Sequence, residues 1–210
     1  MYRMVGFDLD GTLAETFPII FESFRMTVLH FTGKTIDNQT ILTAFGRNEQ
    51  GILSELLPNI QIEKSSDIFY KAYRTAHLQL RSPFYGVLEL LKNLHHQKII
   101  TPLITGKGKI STEISLEMLG LKEELYPILT GSDKENNKAT HFISLLENYN
   151  INSSEFVYIG DTVSDIKQAD LAGISCLSAC WSKYANFKVL KAYNAKIVLG
   201  IEQVKDMLLK

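Results

Sequence analysis

The chain opens on a short apolar run, residues 2 to 8 (YRMVGFD), with the texture of a strand buried on both faces and stopped by Gly11. From Phe17 to about Arg81 the spacing turns helical. Ile20, Phe21, Phe24 and Val28 recur at helical intervals, with Pro18 well placed in a first turn. Asp37 or Asn38 suits the N-cap of a second, short helix through Phe45, ended by Gly46. Ile52, Leu53, Leu56 and Leu57 mark a third, closed by Pro58. Ser65 and Ser66 are the caps expected for a fourth, whose apolar side is Phe69, Ala72, Tyr73, Ala76 and Leu80. No strand pattern interrupts the four, so they read as a small helical bundle.

After Pro83 the pattern alternates. Helices are expected over Gly86 to His96, Lys109 to Leu119 (stopped by Gly120), Ala139 to Tyr149, and up to Ala172 before Gly173. Strands are expected at Ile99 to Ile104, Tyr126 to Thr130, Phe156 to Ile159, Ile174 to Leu177 and Ile197 to Leu199. Strict alternation means a parallel sheet with helices on both faces, an α/β core. The first strand belongs to that sheet by character, yet the bundle separates it from the next strand. The expected organisation is a core of residues 1–14 and 84–210, with residues 15–83 inserted after the first strand as a helical domain.

Composition narrows the partners. A formal net charge of −1 gives no global basic field for nucleic acid or a membrane surface, so an anion must meet a local site. Cys176 and Cys180 are the only cysteines and find no complement among the histidines for a metal site; two free thiols fit a reducing cytoplasm. With no leader-like start and no apolar run near the ~20 residues a membrane helix requires, the expectation is a cytoplasmic, soluble chain, monomeric or weakly homodimeric.

Ligands of a parallel sheet gather at the carboxyl ends of its strands. After the first strand stand Asp8 and Asp10, which strand alternation would point the same way. After the second stands Thr105-Gly106-Lys107, and after the fourth Gly160-Asp161-Thr162-Val163-Ser164-Asp165. Lys138 opens the helix before that strand, and its place makes it the choice over Lys134. Up to four carboxylates need a counter-charge, and a hard cation such as Mg2+ takes oxygen ligands while sharing phosphate oxygens. A hydroxyl and an ammonium beside it suit the outer oxygens of a phosphoryl group. The set points to metal-assisted phosphoryl transfer. Thr105-Gly106-Lys107-Gly108-Lys109 is no P-loop, because the required glycine spacing is missing.

These motifs resemble those of the haloacid dehalogenase superfamily, on its phosphatase side, and especially the phosphoglycolate phosphatase-like group with a helical (C1-type) cap. D-x-D-G-T is met by Asp8 to Thr12, the second motif by Thr105, the third by Lys138, and G-D-x-x-x-D by Gly160, Asp161 and Asp165. The resemblance implies a Rossmann-like core with Asp8 as nucleophile, forming an aspartyl-phosphate, and Asp10 as acid and then base. It also implies Mg2+ held by Asp8, the Asp10 carbonyl, Asp161 and Asp165, with Thr105, Gly106 and Lys138 on the phosphoryl oxygens. The substrate expected is a small phosphorylated metabolite, phosphoglycolate-like or a sugar phosphate. The second aspartate, Asp10, argues against carbon–halogen cleavage.

Substrate choice belongs to the inserted helices. Arg47, in the loop Gly46-Arg47-Asn48, is either a contact to an anionic part of the substrate or a surface arginine, and Lys107 either a solvated lysine or a contact to the substrate region. Trp181 and Tyr184 read as packing residues more readily than as stacking platforms. A sugar-phosphate mutase, a pyrophosphatase and a catalytically idle binding protein stay open on the same fold.

Overall fold

The opening apolar run forms β1 (Met4–Phe7), with every residue buried, in a computed structural model that describes residues 2–194 and 196–209. β1 pairs in parallel with β2 (Leu103–Ile104) on one side and β4 (Phe156–Gly160) on the other. β3 (Ile128–Leu129), β5 (Ser175–Ala179) and β6 (Ile197–Val198) extend the sheet to the order β3-β2-β1-β4-β5-β6, parallel throughout. The chain thus runs outward from β1 through β3, returns to the other side of β1 at β4, and runs outward again. Such a reversal opens a crevice at the carboxyl ends of the two central strands.

Strand periodicity sorts the core into two layers. Val5 and Phe7, with Val157 and Ile159, face α5 (Val87–His96), α6 (Lys109–Leu119) and α10 (Ile201–Leu208). Met4, with Phe156 and Tyr158, faces α7 (Lys138–Tyr149), α8 (Val163–Leu171) and α9 (Phe187–Tyr193). Between β1 and α5 come α1 (Phe17–Thr32), α2 (Asn38–Thr43), α3 (Glu49–Leu56) and α4 (Ile62–Ala76). They share an apolar cluster built on Phe17, Phe21, Phe24, Phe69 and Tyr73. Pro18 lies in the first turn of α1, and Gly33 (φ 68°) ends that helix by donating to the Leu29 carbonyl. Asp37 caps α2 through the Thr40 N–H, and Asn48 caps α3.

Three expectations need correction. Ser65 and Ser66 do not cap α4; the helix begins a turn earlier and both serines are buried within it. They continue the stripe of Phe69, Ala72, Tyr73 and Ala76 at helical spacing, so their small side chains serve packing. Leu80 falls beyond α4, after a 3-10 turn at His77–Gln79. The second strand is shorter than residues 99 to 104 because Pro102 has no N–H to donate. The segment still runs along β1, where the Ile100 and Pro102 carbonyls accept from Val5 and Phe7 at 2.9 and 3.0 Å. No helix of the described residues is long and apolar enough to cross a membrane.

Candidate active site

Asp8 directly follows β1 and extends its ladder by one bond, its N–H donating to the Ile159 carbonyl at 2.9 Å. The pleat ends there. Leu13 N–H folds back to the Leu9 carbonyl at 2.9 Å and Gly11 N–H bonds the Ala14 carbonyl at 2.9 Å, so this turn, not strand alternation, positions Asp10. Gly11 has φ +73°, and a Cβ there would run into the Asp161 carboxylate. The glycine lets the turn after β1 and the residue after β4 occupy adjoining space.

Asp161 immediately follows β4. Thr162 then caps α8 in a capping box: its hydroxyl accepts the Asp165 N–H at 3.1 Å, and its own N–H donates to Asp165 Oδ2 at 3.0 Å. Lys138 is the first residue of α7 and is buried. Its Nζ donates to Asp165 Oδ1 at 2.6 Å and to the Tyr158 hydroxyl at 2.9 Å, and lies 3.1 Å from Asp8 Oδ1. Asp8, Asp161 and Asp165 each place an oxygen within 4.8 Å of the others'.

Three buried carboxylates around one ammonium are under-neutralised. Burial lifts the Asp8 carboxyl to about 7; Lys138 pulls against the rise, and Asp165 and Asp10 add to it. Burial, with Asp8 and Asp165, pushes Asp161 well above the carboxylate range. Burial works against the Lys138 ammonium, but Asp165 and Asp8 outweigh it and hold its pKa above that of an ordinary lysine. Asp161 Oδ1 is buried without a hydrogen-bond partner, and Asp8 Oδ1, for all its closeness to Lys138, makes no aligned hydrogen bond. Both oxygens of Asp165, by contrast, are occupied by protein donors. Oxygen-only donors with open acceptor capacity fit a hard divalent cation.

A second charged group adjoins the first. The Thr16 hydroxyl donates to Asp10 Oδ1, and Lys107 Nζ lies 3.3 Å from Asp10 Oδ2. Lys107 is buried and also reaches Glu49 Oε1 at 3.7 Å, which removes the solvated-lysine reading. Glu49, the first residue of α3, accepts the Gly108 N–H at 2.7 Å and the Ser111 hydroxyl. Sequence reasoning missed Glu49, whose only local signal is an acidic residue in a first helical turn, and Tyr158, which reads as core. Thr105 is fully buried just past β2, and its hydroxyl accepts the Lys107 N–H at 3.2 Å.

The charged groups among these line one cavity of about 370 Å³ that also takes in Gly106 and Arg47. It unites Asp8, Asp10, Thr105, Gly106, Lys138, Asp161 and Asp165. Arg47 stands on its wall with the guanidinium held by Glu55. Trp181 packs as expected, its indole N–H donating to the Thr12 carbonyl at 3.0 Å. Tyr184 packs on Phe17 and also lines the cavity.

A family model described as haloacid dehalogenase-like hydrolase matches residues 5–179, from β1 through β5. The chain belongs to this family. It is 26% identical over 187 residues to a phosphoglycolate phosphatase of Pseudomonas fluorescens (strain Pf0-1), covering 83% of this chain and 68% of the relative. It is 28% identical over 184 residues to the pyrophosphatase PpaX of Bacillus pumilus (strain SAFR-032), covering 85% and 83%. In fold it superposes on a structure from Haemophilus somnus 129pt, titled a predicted phosphoglycolate phosphatase, with a TM-score of 0.78, 18% identity and 98% and 97% coverage. CbbY from Rhodobacter sphaeroides, in complex with xylulose-(1,5)bisphosphate, gives 0.77 at 16% identity, covering 94% of each chain. The cavity lies where the strand order reverses, beside the ends of β1 and β4.

Proposed function

We propose that this hydrolase is a Mg2+-dependent phosphatase of a small phosphorylated metabolite, with residues 1–14 and 84–210 as core and 15–83 as cap. The observation that carries the reading is the convergence of buried Asp8 and Asp161 beside the Lys138 ammonium at the sheet's reversal, with Asp161 Oδ1 met by no protein donor. The relatives named phosphoglycolate phosphatase and pyrophosphatase support it. Asp8 and Asp161 would hold the metal, with Asp10 contributing and Asp165 fixing the surroundings through Lys138 and Thr162. When bound, the cation offsets the carboxylates' charge and that of a phosphoryl group.

The chain's own residues then have distinct tasks. An Asp8 oxygen bonds to phosphorus as the bond to the leaving oxygen breaks, giving an aspartyl-phosphate. Asp10 gives its proton to that leaving oxygen. It next takes a proton from water, whose oxygen bonds to phosphorus and frees Asp8. Thr16 and Lys107 fix the Asp10 carboxylate for both steps. Lys138, the Thr105 hydroxyl and the Gly106 N–H are the phosphoryl-oxygen donors. The test is phosphate release from 4-nitrophenyl phosphate: expected with Mg2+, abolished by EDTA, and lowered by about four orders of magnitude or more in Asp8→Asn. Release that survives EDTA, or survives in Asp8→Asn, overturns the reading.

A further inference from the structure

The cavity lining mixes charged groups with aromatic and aliphatic ones. Besides the carboxylates and Lys138, its lining includes Phe17, Phe24, Leu42, Phe45, Ile52 and Tyr184, of which Phe17, Phe24 and Ile52 are buried behind the others. Leu42, Phe45 and Tyr184 are 37%, 38% and 42% exposed, so much of their apolar surface is left uncovered by the core. Phe45 stacks on Phe17 with centroids 6.4 Å apart, and Tyr184 tilts against the same ring at 5.0 Å. Aromatic clusters of this kind take a further ring by offset or edge contact. The volume, about 370 Å³, falls in the range, roughly 300–1,000 Å³, of pockets that enclose drug-sized ligands.

An anionic leaving group, in contrast, needs a cation with capacity to spare. Among the described residues lining the cavity the cations are Arg47, Lys107 and Lys138, and each is engaged. Arg47 is held by Glu55, Lys107 by Asp10 and Glu49, and Lys138 by Asp8 and Asp165. A carboxylate or second phosphate on the leaving group would compete with Glu55 for Arg47, since Lys107 is held between two carboxylates and Lys138 serves the phosphoryl group. An apolar group breaks none and drives water from the aromatic wall.

We infer that the substrate is a phosphate monoester whose leaving group carries a flat apolar portion, an aromatic ring foremost, seated against Leu42, Phe45 and Tyr184. This rests on the phosphatase reading above and narrows it away from phosphoglycolate. The experiment compares kcat/KM with Mg2+ for 2-phenylethyl phosphate, propyl phosphate and 2-phosphoglycolate, all alkyl monoesters. The expected result is a preference for the phenylethyl ester over each of the others of about tenfold or more, the scale on which apolar pockets discriminate. Phe45→Ala and Tyr184→Ala, both at partly exposed positions, then lower the ratio of phenylethyl to propyl kcat/KM several-fold, chiefly through KM. Phosphoglycolate turned over as well as or better than the phenylethyl ester overturns the inference and leaves the phosphatase reading standing. No turnover of any of the three while 4-nitrophenyl phosphate is hydrolysed overturns the inference alone; no turnover of 4-nitrophenyl phosphate either overturns both.

Discussion

Asp8, Asp161 and Asp165 bring oxygens within 4.8 Å of one another around a single buried ammonium, that of Lys138. The shortfall of positive charge shows as the raised carboxyl pKa values of Asp8 and Asp161, due first to burial and then to their neighbours. An acid whose pKa is raised on folding favours the protonated folded state. The metal-free protein therefore loses stability through Asp8 as pH rises from the ordinary value of 3.8 toward about 7. A divalent cation replaces the proton as neutraliser above that window. At pH 8 and a Mg2+ concentration about 100 times Kd, the stabilisation expected is about 2.7 kcal/mol. For a chain of this size that is about 5–10 °C in Tm. Scanning calorimetry with Mg2+ and then EDTA measures it. Asp161→Asn, which removes charge from the unpartnered carboxylate, is expected to erase most of the shift. A Tm indifferent to Mg2+, or a full shift in Asp161→Asn, contradicts the assignment of these carboxylates.

The start of α3 fastens the inserted helices to the core. Asn48 donates its backbone N–H to the Ser132 carbonyl at 2.8 Å and its side-chain amide to the Gly131 carbonyl at 3.2 Å. Glu49 follows with its contacts to Gly108, Ser111 and Lys107. A Cβ at Gly108 would come within 2.6 Å of Glu49 Oε2, so the glycine gives the carboxylate room to sit against the backbone. Because Lys107 also pairs with Asp10, this latch joins the inserted helices to the carboxylate proposed as acid and base. Glu49→Ala leaves the Gly108 N–H and part of the Lys107 charge buried without a partner. The expected loss is about 3–5 kcal/mol in urea unfolding, as for a broken buried ion pair. Glu49→Gln keeps an acceptor for Gly108 and is expected to lose less. A loss below about 1 kcal/mol for Glu49→Ala, the worth of an exposed ion pair, sinks the latch.

At the scale of the molecule, what the sequence made legible was what periodicity and local motifs encode. The alternation after Pro83 located α6 at Lys109–Leu119 and β4 within a residue of its end. Asp8, Asp161 and Lys138 were legible because each sits at the end of a strand or start of a helix, where local pattern reaches. Glu49, Tyr158 and the burial of Lys107 were not, since they depend on contacts between segments far apart in the chain. Glu49 meets Ser111, for example, across 62 positions. The start of α4 was misread for a related reason: Ser65 and Ser66 have the composition of a cap, and only packing reveals them as part of the buried stripe. The sheet order that brings β1 and β4 together likewise depends on tertiary assembly.

The proposed mechanism makes Asp8 the group that bonds to phosphorus, and the most direct measurement is chemical trapping. The protein is mixed with Mg2+ and 4-nitrophenyl phosphate, quenched in acid during turnover, reduced with borohydride and digested for peptide mass analysis. An acyl phosphate is reduced to an alcohol, so the account predicts homoserine at position 8, absent without substrate. Phosphate release with aspartate intact at position 8, or with homoserine formed elsewhere, would contradict it.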